Sequence, residues 1–236
     1  MNRLVPYAGA MLLLQALGGC SDEKPADDAA MAQPAAEAPA PAATTAPAAD
    51  TRLVVAFGDS LYAGYGVLPQ QSFPARLERA LAARGVKAVV RNAGVSGDTT
   101  AAGRRRLAFA LDGLERKPDL VMVNLGGNDM LRGIDPKETR ANLTAICEEL
   151  KRRGIPIFLT GMIAAPNMGP DYAREFSAIY GDLARKYDAG LYPFFLDGVV
   201  TDRSLMLGDR IHPNPKGIDA IVARVAPQVA TALEAN

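Results

Sequence analysis

The chain has 236 residues, of which 49% are hydrophobic, and its 26 Lys and Arg balance its 26 Asp and Glu. Residues 51–236 hold 24 Lys and Arg against 20 Asp and Glu, a net of +4, a surplus too mild for nucleic-acid binding. Two cysteines and one histidine leave no Cys/His cluster for zinc, and any imidazole chemistry runs through His212.

Residues 1–19 read as a leader. Arg3 gives a positive start, and Leu4 to Leu17 is apolar but too short to span a bilayer comfortably. The run Leu17-Gly18-Gly19-Cys20 resembles the lipobox of bacterial lipoproteins, which implies cleavage before Cys20 and lipidation of that cysteine. An exported protein follows, lipid-anchored in the cell envelope with its domain in the periplasm, and Ser21 favours the outer membrane. Residues 20–50 read as a disordered tether. From Pro25 to Asp50 there are thirteen Ala and five Pro, with no Val, Ile, Leu or aromatic residue to bury. Six acids against one lysine give residues 21–50 a net of −5. With Cys20 lipidated, Cys147 is alone and reads as a small buried residue on a helix.

Residues 51–236 are long enough for one domain with a substantial core. Short β-branched runs predict buried strands at Leu53–Phe57, Val86–Arg91, Leu120–Leu125 and Pro156–Thr160. Amphipathic segments between them predict helices over Phe73–Arg84, Thr99–Leu114, Pro136–Arg153 and Asp171–Tyr187. A last helix from about Pro215 to Leu233 is expected to break or kink near Pro227, and Gly85 and Gly154 read as helix C-terminal caps. The alternation predicts an α/β fold of three α/β/α layers, with a parallel, flavodoxin-like central sheet. Arg104-Arg105-Arg106 and Lys151-Arg152-Arg153 read as solvated helix faces.

In such sheets the site lies beyond the carboxyl ends of the strands. Gly58-Asp59-Ser60, Asn92-Ala93-Gly94-Val95-Ser96-Gly97 and Gly126-Gly127-Asn128-Asp129 follow the first three strands, so three glycine-rich polar clusters share one edge. A serine hydroxyl needs a base to take its proton, and the base needs an orienting group. Ser60, His212 and Asp209 are the candidates. Asn128 offers an amide donor for an oxyanion. Ser96 is not in Gly-x-Ser-x-Gly and reads as a turn residue, and Gly64-Tyr65-Gly66 lacks the context of a dinucleotide turn. Asp59 and Asp129 read as loop-ordering carboxylates.

Gly58-Asp59-Ser60-Leu61, Gly94, Gly126-Gly127-Asn128-Asp129 and Asp209-x-x-His212, in that order, resemble the SGNH hydrolases, or GDSL esterases and lipases. The likeness runs from about Arg52 to His212 and is closest to the exported bacterial thioesterase, lysophospholipase and arylesterase subgroup. It implies the SGNH hydrolase fold, with Ser60 as nucleophile, His212 as base and Asp209 as its orienter. It also implies an oxyanion hole from the Ser60 and Gly94 N–H groups and the Asn128 side chain, with no cofactor. The expected substrate is a small-molecule or lipid ester, such as an aryl ester or a short-to-medium acyl ester. The expected leaving groups are an aryl alcohol, coenzyme A or a lysophospholipid. Met162–Met168 and Leu191–Phe195 read either as walls of an acyl pocket or as plain packing. A carbohydrate O-deacetylase and a non-catalytic binding lipoprotein are the alternatives.

Overall fold

A computed structural model describes residues 50–235. The leader, Cys20 and nearly all of the tether lie outside the described residues. The elements are β1 (Arg52–Gly58), α1 (Ser60–Ala63), α2 (Phe73–Ala82), β2 (Ala88–Gly94), α3 (Thr100–Asp112), β3 (Leu120–Asn124), α4 (Gly127–Leu131), α5 (Pro136–Arg152), β4 (Ile157–Thr160), α6 (Pro170–Tyr187), β5 (Gly190–Tyr192) and α7 (Pro215–Glu234).

The five strands form one parallel sheet in the order β2-β1-β3-β4-β5. Strands β3 and β4 are buried throughout, and β1 is buried from Leu53 to Gly58, as expected where helices cover both faces. Helix α2 packs on α7, while α5 packs on α3 and α6. This is the predicted α/β architecture. Strand β5 is an addition: its three residues pair with Phe158–Thr160 and extend the sheet past the expected loop.

The expected caps hold. The Gly154 N–H donates to the Lys151 carbonyl and the Ile155 N–H to the Leu150 carbonyl, each at 2.9 Å, and Gly85 and Val86 close α2 in the same way. The expected break at Pro227 does not occur. Helix α7 runs unbroken from Pro215 to Glu234, because Val225, Val229 and Leu233 continue its buried face past the proline. Each such burial is worth about 1.5–3 kcal/mol, and together they offset the cost of about 3 kcal/mol of an interior proline. Cys147 is fully buried, as expected, and burial pushes its thiol up to about 12.

Candidate active site

Ser60 and Asn128 each lie shortly past a strand end. Strand β1 ends at Gly58, and Asp59 caps α1 by accepting the Leu61 N–H at 3.0 Å. That cap makes Ser60 the first residue of the helix. Tyr62, two residues on, is fully buried, stacked on Phe73 at 4.9 Å and met edge-on by Phe195 at 5.5 Å. Its hydroxyl pairs with the Thr160 hydroxyl at 2.9 Å. Helix α1 is only four residues long, so these aromatic contacts rather than helix propensity hold Ser60 in place.

His212 arrives from the other end of the chain on a tight loop. Met206 and Pro213 form an isolated antiparallel bridge, and the Leu207 N–H donates to the His212 carbonyl at 2.8 Å. Asp209 Oδ1 accepts the N–H groups of Ile211 and His212 at 2.9 and 3.0 Å. Between them Arg210 takes a left-handed backbone, φ 59°, which lets the chain double back. A non-glycine residue there costs about 1 kcal/mol or more.

The loop sets His212 Nδ1 2.6 Å from Asp209 Oδ2 and Nε2 2.8 Å from Ser60 Oγ. Partial burial works to raise the Asp209 carboxyl, but the His212 ring and the two backbone N–H groups outweigh it and hold the acid at about 2. Asp209 is therefore charged at neutral pH and only accepts. Nδ1 then donates to Asp209, and in the neutral ring this tautomer leaves Nε2 to accept the Ser60 hydroxyl. The exposed Tyr65 ring lies 4.4 Å from the imidazole and flanks it.

Asn128 is the first polar side chain of α4. Its Nδ2 donates to the Asp98 carbonyl at 3.0 Å and to Asp59 Oδ2 at 3.3 Å, bridging the loops after β1 and β2. Gly126 makes the preceding turn, at φ 112°, and an added Cβ would lie 2.2 Å from the Tyr180 hydroxyl. Asp129 points away from the cavity. It is buried and accepts from the Thr100 N–H at 2.8 Å, from the Thr100 hydroxyl and from the Thr139 hydroxyl. Both aspartates order loops, as expected. Asp59 is also buried, and that burial, with help from Asp98 and Asp129 and against its hydrogen bonds, pushes its carboxyl up to about 7.

The structure brings Ser60, Asp209, His212 and Asn128 together, but it does not bring Gly94. Gly94 pairs with Gly58 inside the sheet, and its N–H donates to Asn92 Oδ1 at 2.9 Å. A Cβ there would lie 2.3 Å from the Ala63 backbone nitrogen. Gly94 is glycine so that α1 can pack on β2. Gly97, at φ 85° in the following turn, does reach the cavity. Among the described residues no acceptor meets the N–H of Ser60 or of Gly97. Sequence reasoning missed Gly97 because the β1–β2 register, which keeps the residue opposite Gly58 within the sheet, is visible only in the fold.

Arg106 is a second correction. It is no solvated face: Nε pairs with Asp98 Oδ2 at 2.5 Å, Nη2 donates to the Gly58 carbonyl at 2.9 Å, and the guanidinium lies 4.1 Å above the Phe57 ring. It ties the β1 end to the loop that carries Gly97 and Asp98.

A cavity of about 500 Å³ opens over Ser60 and His212, with Met130, Leu131, Met162 and Leu196 among its walls. Met162 and Ala165 fulfil one expected wall. Leu191–Phe195 does not: Leu191 and Tyr192 belong to β5, and Phe195 is core. A larger hollow of about 770 Å³ lies where β4 and β5 begin, with Pro156 and Asp188 on its rim, and no nucleophile–base pair faces it.

Hydroxyl, imidazole and carboxylate in series, at the carboxyl edge of a parallel sheet and beside an apolar cavity, make the molecule a serine esterase. The chain belongs to the GDSL-like lipase/acylhydrolase family, whose model matches residues 56–220. It is 42% identical over 165 residues to esterase TesA of Pseudomonas aeruginosa, covering 70% of this chain and 80% of that one. It is 40% identical over 166 residues to thioesterase 1/protease 1/lysophospholipase L1 of Escherichia coli, covering 70% and 76%. The crystal structure of AlinE4, an SGNH-hydrolase family esterase, superposes with a TM-score of 0.67 at 53% identity, covering 77% of this chain and 96% of that one.

Proposed function

We propose that the protein hydrolyses aryl esters and short-to-medium acyl esters, including thioesters, through an acyl-enzyme on Ser60. The observation that carries this reading is the 2.8 and 2.6 Å relay from Ser60 through His212 to Asp209 at the wall of an apolar cavity. Ser60 Oγ attacks the carbonyl carbon while its proton passes to His212 Nε2. The Ser60 and Gly97 N–H groups and Asn128 Nδ2 receive the oxyanion. Asn128 then exchanges its long 3.3 Å bond to Asp59 for a shorter one to the substrate. His212 hands the proton to the departing alcohol or thiol. It next deprotonates a water that attacks the acyl carbonyl, which frees Ser60 and the acid product. A cavity of about 500 Å³ is an ordinary size for a small-molecule site and accommodates a medium acyl chain.

The test is turnover of p-nitrophenyl esters from acetate upward. The wild type is expected to peak at a short-to-medium chain and Ser60→Ala to be inactive. Asn128→Ala is expected to lose about 10²–10³ in kcat. An Asn128→Ala enzyme with wild-type kcat removes Asn128 from the oxyanion hole, and no turnover of any ester by the wild type rejects the reading.

The lipobox-like run ending at Cys20 supports a lipid-anchored protein with its domain in the periplasm. Cys20→Ala is expected to abolish incorporation of labelled fatty acid into the protein, and a wild type that takes up no label would sink this assignment.

A further inference from the structure

An ester has two halves, and the apolar cavity accounts for only the acyl half. The loop that carries His212 also carries Arg210, and seven residues upstream lies Arg203. Both are exposed, and neither guanidinium makes an ion pair or side-chain hydrogen bond among the described residues. Arg210 lines the cavity that holds Ser60 and His212. It also lines an adjoining hollow of about 380 Å³, whose walls include Arg203, Thr201 and Leu207. Val200 and Arg210 are common to both, so the second hollow opens beside the first.

Arg210 occupies a left-handed position where glycine would sit without strain, and the relay gives no reason for its charge. Asp209 is already engaged by two backbone N–H groups and the imidazole. The acid beside Arg203, Asp202, accepts from the Ser204 N–H and hydroxyl at 2.9 and 2.7 Å. Two planar cationic forks with no anion of their own therefore line a hollow larger than a carboxylate needs, beside the cavity lined by His212, the group that protonates the leaving group.

We propose that this hollow is a leaving-group subsite that selects esters and thioesters bearing a phosphate on the alcohol or thiol half. The inference rests on the esterase reading above. A phosphate of this kind has two sources, a glycerophosphate lipid and a phosphate-bearing thiol carrier, and the experiment separates them.

The full chain would be assayed on two matched pairs: 1-octanoylglycerol 3-phosphate against 1-octanoylglycerol, and octanoyl coenzyme A against octanoyl-N-acetylcysteamine. The readout is the ratio of kcat/KM for the charged member over the uncharged one. Arg203→Gln and Arg210→Gln are each expected to lower that ratio about 10-fold, while Arg210→Lys keeps most of it. The wild-type ratio is expected to fall as salt rises from about 0.05 to 0.5 M. A drop confined to the glycerol pair assigns the subsite to lysophospholipids, and one confined to the thioester pair assigns it to the carrier. Unchanged ratios in both pairs overturn the subsite and leave the esterase standing. No turnover of any of the four by an enzyme that still turns over p-nitrophenyl esters overturns the subsite alone, and no turnover of either set overturns both.

Discussion

At the scale of single residues, the chemistry rests on side chains whose neighbours fix their charge. Asp59 is the sharpest case. Folded, it keeps its proton up to about pH 7, whereas an unhindered aspartate loses it near 3.8. Between those values the folded state binds more protons than the unfolded one, so the Asp59 contribution is full below about pH 4 and is lost as pH rises through 7. Asp59→Asn is expected to flatten that decline, with a melting temperature above wild type at pH 8. It is also expected to lower kcat, because either amide orientation leaves the Leu61 N–H or Asn128 Nδ2 facing a donor. Thermal melts from pH 5 to 8, with kcat for a p-nitrophenyl ester, check both halves. A wild-type-like pH slope in the variant would mean that Asp59 is ionised throughout. Ser60, Asp209 and His212 were legible in the sequence because residue type and order alone define the relay. Gly97 was not, since two glycines share one loop and only the strand register tells which has left the sheet.

The elements show where packing overrules local signals. Strand β5 was illegible because it has only three residues, and Gly190 opens it where an added Cβ would lie 2.4 Å from the Phe158 ring. Its existence depends on β4 offering a free edge. The role of Arg106 was hidden because charge runs on helices usually face water, and nothing local announces Asp98 and the Gly58 carbonyl as partners. Helix α7 misled in the opposite direction. Pro227 lies on its exposed face, so the buried stripe pays for the lost hydrogen bond. Pro227→Ala restores a donor to the Ala223 carbonyl and is expected to add at least about 1 kcal/mol of stability by urea unfolding. A loss would show that the ring itself is needed. Entry to α4 makes a stricter demand. Gly126→Ala combines a disallowed φ with a clash on the Tyr180 hydroxyl and is expected to cost about 2 kcal/mol or more. In a double-mutant cycle Tyr180→Phe removes the clashing atom, so the pair is expected to cost less than the sum of the singles. Strict additivity would place the whole cost in the backbone.

Across the whole molecule, the parallel sheet sends every strand's carboxyl end to one pole, and the serine, amide and glycine donors gather there from positions spread between residues 60 and 128. The chain enters at the other pole, where Lys87 pairs with Asp50 at 2.6 Å just before β1. His212 then returns from more than 150 residues downstream to complete the relay. It is the one histidine in all 236 residues. The protein therefore carries its own reporter. A ring-nitrogen NMR spectrum of the uniformly labelled protein contains a single imidazole, and every change in it records where the reaction's proton sits, from resting enzyme through acylation to product. The same economy gives a chemical titration: a histidine-selective reagent has one ring to modify, and loss of activity should follow its uptake one for one.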